Sequence, residues 1–286
     1  MKKILNQTSL KVIIAILTII LATALIISSS LAQSPEVTTT AAPEFDYNKA
    51  FQDYYYTTGI YNRYFDDYQS ARAKYFQITT LATEDAAREA TSKMLTARDD
   101  VIVTYLTAIR MKLRETSGLT EEDKNTTFDR IDTEITWYKD HKTQVPSAQT
   151  LSDLVTDSDE AKSHYLLTKA VVYFALIQVA EGKIDYFRNQ LNENISDLKV
   201  KIGEIRENGD KNVIPVEHAI IDIENKVQRS RDKEVEAIDR INLARGDVNA
   251  TIVYEDSLAR MQESFLYLKE VNSNLREIIK QIKTQD

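Results

Sequence analysis

The 286-residue chain contains no cysteine. That excludes disulfides, thiolate catalysis, cysteine metal ligands and a lipid-modified N-terminal cysteine together, so the fold must be held by its own core or by partners. Glycine and proline are scarce too, at six and four residues, well below ordinary usage of roughly 7% and 5%. Few turn formers leave room for only a few long elements. An excess of positive charge is also missing, because 36 Lys and Arg stand against 44 Asp and Glu. Three of the basic residues lie at the extreme N-terminus, so the remainder carries 33 against 44, a formal charge of −11. A surface of that sign is unsuited to nucleic acid, whose binding rests on neutralised phosphates, and to anionic lipid.

One uncharged apolar run stands out near the start. Lys2, Lys3 and Lys11 precede a stretch from Val12 to Ile27 that is interrupted only by Thr18 and Thr23. Charge ahead of an apolar run is the layout of an export signal. Lysines in that place keep the N-terminus in the cytoplasm and send the rest of the chain across the membrane. Ser30 and Ala32 occupy the −3 and −1 places that a signal peptidase reads, which predicts a signal peptide over residues 1–32 cleaved between Ala32 and Gln33. The alternative is an uncleaved transmembrane anchor over about residues 10–28. Either way the chain is expected outside the cytoplasm, secreted or anchored to the cytoplasmic membrane with its N-terminus inside. Residues 33–44, with Pro35 and Pro43 and no apolar period, read as a flexible stalk, and residues 45–286 as an extracytoplasmic helical domain.

From Phe45 onward the apolar residues keep a helical period and no segment alternates as a strand would, so the fold class is all-α. A first helix is expected over about Asp46–Thr80. Its stripe of Tyr47, Phe51, Tyr54, Thr58, Tyr61, Phe65, Tyr68, Arg72 and Tyr75 steps by four and three, with Tyr55, Tyr64 and Phe76 flanking it. Thr83 is the expected cap of a second helix carrying Met94, Val101, Tyr105 and Ile109 and ending at Gly118. The third opens at Thr120, with Asp123 three positions on, buries Phe128, Ile131, Ile135 and Tyr138, and stops at Pro146.

A fourth helix, capped by Asp157 or Ser158, is expected to run to Asn208 and repeats Ile177, Ile184, Leu191, Leu198 and Ile205 every seven residues. The fifth starts at Pro215 and extends almost to Asp286, with apolar spacing that thins from Gln228 to Glu234; this patch, with Gly246 after it, marks the expected bend. Short connections favour antiparallel neighbours. The predicted architecture is an elongated up-and-down helical bundle with a long antiparallel coiled-coil hairpin made by the last two helices.

Nothing in the chain has the pattern of a catalytic or cofactor site. His141, His164 and His218 fall on separate elements without metal-ligand spacing and are expected to be solvated. Acidic doublets such as Asp66–Asp67 and Asp99–Asp100 do not face each other on a helix. Asp153, Asp157, Asp159 and Glu160 lack the spacing and central glycine of a calcium loop. No catalytic, cofactor-binding or metal-ligating residue is therefore assigned, and the chain is expected not to be an enzyme.

The compositional anomaly is tyrosine, since eight of the fifteen fall between Tyr47 and Tyr75. The regular step makes most of them a packing seam, while tyrosine is also enriched at interfaces. Tyr55, Tyr56 and Tyr64 are the candidate interaction surface, Tyr56 because it falls off the stripe. The expected function is a non-enzymatic exported scaffold or protein-interaction module at the cell envelope. The alternative is an extracytoplasmic bundle that senses a small molecule or envelope fragment through a partner protein. The expected partner is another protein or a second copy bound through helices, with membrane contact through the N-terminal segment if it is uncleaved and no nucleic acid.

Overall fold

In the computed structural model, residues 45–209, 212–244 and 249–284 are described. Residues 1–44, which hold the predicted signal or anchor, the Ala32–Gln33 cleavage point and the stalk, lie outside them. The described residues form six α-helices and no strand: α1 (Tyr47–Gln77), α2 (Leu81–Arg114), α3 (Glu121–Gln144), α4 (Leu151–Asn208), α5 (Ile214–Ile241) and α6 (Ala250–Thr284), with a 3-10 turn at Val145–Ser147. The protein is all-helical, as its periodicity predicts.

Helix starts obey local capping chemistry, and two of them differ from the predicted positions. Thr80, not Thr83, caps α2: the Thr83 amide donates to Thr80 Oγ1 at 3.3 Å and the Thr80 amide to Thr83 Oγ1 at 3.0 Å. This is the reciprocal box with threonine in the place usually taken by glutamate. At α4 the same device is built by Thr150 and Asp153, with bonds of 3.1 and 2.8 Å. The helix therefore begins at Leu151, six residues before the expected Asp157 cap, and runs unbroken for 58 residues. Each such cap contributes about 1 kcal/mol. Thr120 opens α3 as expected, accepting from the Asp123 amide at 3.2 Å.

The long final helix is two. α5 ends at Ile241 and α6 starts at Ala250, so the interruption lies beyond the polar patch. Gln228–Glu234 itself is uninterrupted helix, and its Ser230 and Glu234 are buried. Pro215 takes the second helical position, where an N–H would have no partner within the helix.

The chain divides into two compact units, and α2, α3 and α4 contribute to both. The first comprises residues through Met111 together with Thr133–Ser163. In it α1 lies antiparallel to α2. Tyr47 and Ala50 pack on Ala108 and Met111, the Tyr54 and Tyr105 rings meet at 5.3 Å, and Thr57 bonds Thr104 at 2.8 Å. The stripe positions Tyr47, Tyr54, Tyr61 and Tyr68 are all buried. Burial pushes the Tyr61 and Tyr68 hydroxyls above the usual tyrosine range. Phe76 and Tyr55, expected to widen the seam, are instead exposed.

The second unit comprises Lys112–Asp132 and His164–Asp286. Its centre is α4 from Ala170 to Ala180, where nearly every side chain on every face is buried. This helix holds an 18-residue window apolar enough to cross a membrane, with 67% of that window buried inside the protein. A helix apolar all round belongs in a core when neighbours cover it, and here they do. Phe128 and Leu113 pack on Val179, Arg130 lies 4.4 Å over the Phe174 ring, and Tyr254 stacks on Tyr173 at 4.3 Å.

Further along, facing residues count down on α5 as they count up on α4, through Lys199–Glu224 and Arg206–Glu217. They do the same between α5 and α6, through Lys226–Glu270 and Arg240–Asp256. These exposed ion pairs contribute little each, but they fix an antiparallel register for both pairings.

Gly118 and Gly182 close the second unit where α2 turns into α3. Gly118 does not cap α2, which ends at Arg114; it sits in the ensuing loop at φ 90° with its Cα against the Gly182 carbonyl. A Cβ on Gly182 would stand 2.6 Å from Thr116 Cγ2 and 2.8 Å from both Leu119 Cγ and the Ser117 carbonyl. The loop can lie on α4 only because both positions are glycine.

Candidate interaction surfaces and buried polar clusters

The three tyrosines singled out from the sequence have different surroundings. Tyr55 and Tyr56 stand on the outer face of α1 at 75% and 70% exposure. They come one and two residues after the buried Tyr54, so the helix turns them away from α2. One turn on, Gly59 has nothing within 4 Å of where a side chain would begin. Tyr64 is half-buried and lines a groove of about 870 Å³ with Ile60, Arg88, Lys93, Asp100 and Lys142. A second groove of about 450 Å³ continues from it along α1 and α2 and shares Tyr64, Glu89 and Lys93. The structure thus places Tyr55 and Tyr56 on open surface and Tyr64 in a trough of mixed polarity within the first unit.

That groove is edged by ions paired with each other. Arg88 meets Asp85 at 3.3 Å, Lys93 meets Glu89 at 2.6 Å and Lys142 meets Asp100 at 2.5 Å. Its rim offers donors and acceptors without a strong net charge.

One residue before Lys142, a buried histidine stands where the sequence pattern predicts a solvated one. His141 is 4% exposed. Its Nε2 faces the Asp157 carbonyl at 3.0 Å and its Nδ1 faces Asp99 Oδ2 at 2.6 Å. A carbonyl only accepts, so Nε2 carries a proton, and Nδ1–H donates to the carboxylate. Burial pulls the imidazole pKa down, but the hydrogen bond and charge of Asp99 outweigh it and the group sits above its ordinary value. Trp137 stacks on the ring at 5.0 Å, which also favours a cation. Asp99, fully buried, accepts two further bonds from Arg98. With both ring nitrogens engaged, His141 ties α3 to α2 and α4 and has no lone pair to act as a base. The stripe itself carries the signal, because three residues after Tyr138 the next inward position is His141.

The second unit holds a different cluster. Arg188 on α4, 3% exposed, donates to Asp185 on its own helix and to Glu234 on α5. Ser230 bonds Ser264 of α6 at 2.9 Å beside it. Glu181, Asp185 and Glu234 bring carboxylate oxygens within 4.8 Å of one another. Glu181 has no cation of its own in this group, and its carboxyl is pushed up to about 7, chiefly by burial and then by Glu234, Asp185 and Asp123, against a lowering by Arg188. Burial likewise raises Glu234, although the Arg188 bond opposes it.

Three carboxylates so close have the donor set of a divalent-ion site. The guanidinium, however, is already bonded to two of them and would repel a second cation. The donor set is therefore filled by Arg188. Sequence reasoning misses this layer, because polar residues at seam positions of a single helix read as a bend until their partners on another helix are known.

No family model matches the chain, and no curated protein and no solved structure is similar to it.

Proposed function

We propose that this chain is a non-enzymatic, exported helical scaffold or protein-interaction module of the cell envelope, with α4, α5 and α6 forming an antiparallel coiled coil and residues 1–32 directing export. The observation that carries the proposal is the division of labour among side chains. The buried ionisable groups bond one helix to another, as in Asp99–His141 and Arg188–Glu234. Large side chains with apolar bodies, Tyr55 and Tyr56 on α1 and Ile221 and Val235 on α5, face outward instead. Outward aromatic and aliphatic side chains on a rigid helix are what a protein partner uses as anchors.

The test is cross-linking of the full chain in intact envelopes, then fractionation. The proposal expects cross-linked species outside the cytoplasm that diminish with Tyr55→Ser and Tyr56→Ser or with Ile221→Lys. A chain that is cytoplasmic, or is strictly monomeric and forms no cross-link to itself or to any other protein, overturns it.

The second reading, a bundle that binds a small molecule or envelope fragment, is favoured by the Tyr64 groove. A half-buried aromatic ring beside paired carboxylates and cations can stack on a sugar ring and bond its hydroxyls. Under that reading N-acetylated envelope saccharides raise the melting temperature of the full chain, and Tyr64→Ala abolishes the rise. No shift with either chain removes the reading.

A further inference from the structure

The outer face of α5 carries an apolar stripe that the second unit leaves uncovered. Ile214, Ile221 and Val235 are 59%, 55% and 59% exposed, and with Gln228 they recur every seven residues over about 32 Å of helix. Glu217, Glu224 and Arg231 run down one edge of this stripe, three residues after Ile214, Ile221 and Gln228. His218, Asn225 and Asp232 run down the other, four residues after.

The charges on the edges decide what fits. The stripe is apolar except at Gln228, and Glu217 flanks its first half and Arg231 its second. Glu217 contacts Arg206 of α4, whereas no ion pair to Arg231 occurs among the described residues. A helix laid antiparallel on the stripe brings like edges together. If that helix is α5 of a second copy, with the dyad between Glu224 and Asn225, then Ile214 meets Val235 and Ile221 meets the aliphatic stem of Gln228. On the edges Glu217 meets Arg231 and His218 meets Asp232. The one like-charge meeting, Glu224 with its twin, is neutralised on each copy by Lys199. A parallel copy would bring opposite edges together instead, setting Arg231 beside Asp232 and Glu217 beside His218, so that Glu217 and Arg231 would not meet. On the α4 side the rim is low, because Gly203 has nothing within 4 Å of its would-be Cβ, which leaves room for the incoming helix.

The geometry points to α5 as a self-recognition surface: two copies of this chain pair antiparallel through Ile214, Ile221 and Val235, in a register set by Glu217 and Arg231. The inference rests on the interaction-module reading and names its partner as a second copy.

Because the chain has no cysteine, single cysteines report the register without background. Purified full chain carrying Asn225→Cys, His218→Cys or Asp232→Cys is treated with a short bismaleimide. The expected result is a dimer band for N225C alone, none for H218C or D232C alone, and a dimer when H218C and D232C chains are mixed. Arg231→Glu in the N225C background should lose most of the dimer, and adding Glu217→Arg should restore it. No N225C dimer, an H218C dimer as strong as that of N225C, or a charge-reversed pair that fails to recover overturns the inference. Should envelope cross-linking capture another protein while N225C stays monomeric, the pairing falls and the interaction-module reading stands.

Discussion

The two units solve one problem, a buried polar cluster among long helices, in opposite ways. In the first, Asp99 is matched by Arg98 and His141, and Asp100 by Lys142. Positive groups are at least as many as negative ones at the buried carboxylate, and the imidazole is held as a cation. In the second, one guanidinium is bonded to two of three clustered carboxylates, Asp185 and Glu234, and Glu181 is left without a cation of its own in this group. The surplus there is negative, and burial together with that surplus pushes the Glu181 carboxyl up to about 7. Where a buried cluster is short of cations its carboxyl is pushed up, as at Glu181, whereas beside a buried carboxylate it is the imidazole of His141 that is raised.

The sharpest way to break the contrast is to remove the single cation. Arg188→Met should cost about 3–5 kcal/mol at pH 8, because it strands Glu234 and Asp185 without a counter-charge. The loss should shrink at pH 5, where the carboxylates can protonate; chemical denaturation of the full chain at the two pH values measures both. A cost that does not change with pH would mean that packing, and not charge, dominates the layer. Next in size, Gly182→Ala should cost about 1–3 kcal/mol or more by driving a methyl into Thr116, Leu119 and the Ser117 carbonyl. Amide exchange should then loosen at the α2–α3 loop while the α1 amides keep their protection.

The third test uses the pH windows. Glu181 titrates near 7 folded and near its ordinary 4.5 unfolded. The stability it contributes is thus complete below about pH 4.5 and is lost as pH rises to about 7. Glu181→Gln should flatten that slope and gain on the order of 2 kcal/mol at pH 8. His141 is raised above 6.5, so its contribution is full below that value and is lost only as pH climbs through the higher folded value. His141→Gln should remove this later slope and leave the Glu181 slope intact. Identical slopes in both variants would merge the two clusters into one titration.

The smallest effect belongs to the exposed tyrosines. Tyr55→Ser and Tyr56→Ser should each change stability by less than about 0.5 kcal/mol, while Tyr54→Ala, on the seam, should cost about 3 kcal/mol or more. Thermal melts of the three variants compare the outward and inward faces of one helix turn.

Much of the fold is legible in local pattern. The four-three step of Tyr47, Tyr54, Tyr61 and Tyr68 names the buried face of α1 because a helix returns to the same side every seven residues. Phe128, Ile131, Ile135 and Tyr138 do the same for α3, and all four are buried. Two helix starts are less legible because Thr80 and Thr150 cap with Thr83 and Asp153 in place of glutamate or glutamine, a weaker form of the signal. The break after Ile241 is hidden because Ser230 and Glu234 look like interruptions until Arg188 and Ser264 are seen opposite them.

The all-helical fold, the apolar inward stripes of α1 and α3 and the acidic excess were thus determined by the sequence alone, since periodicity and charge are local properties. Tertiary structure decided the burial and partners of His141, the raised carboxyl of Glu181, the two meeting glycines and the uncovered stripe of α5. Each depends on which residue of another helix stands opposite, and long-range register does not show in the spacing of any one segment.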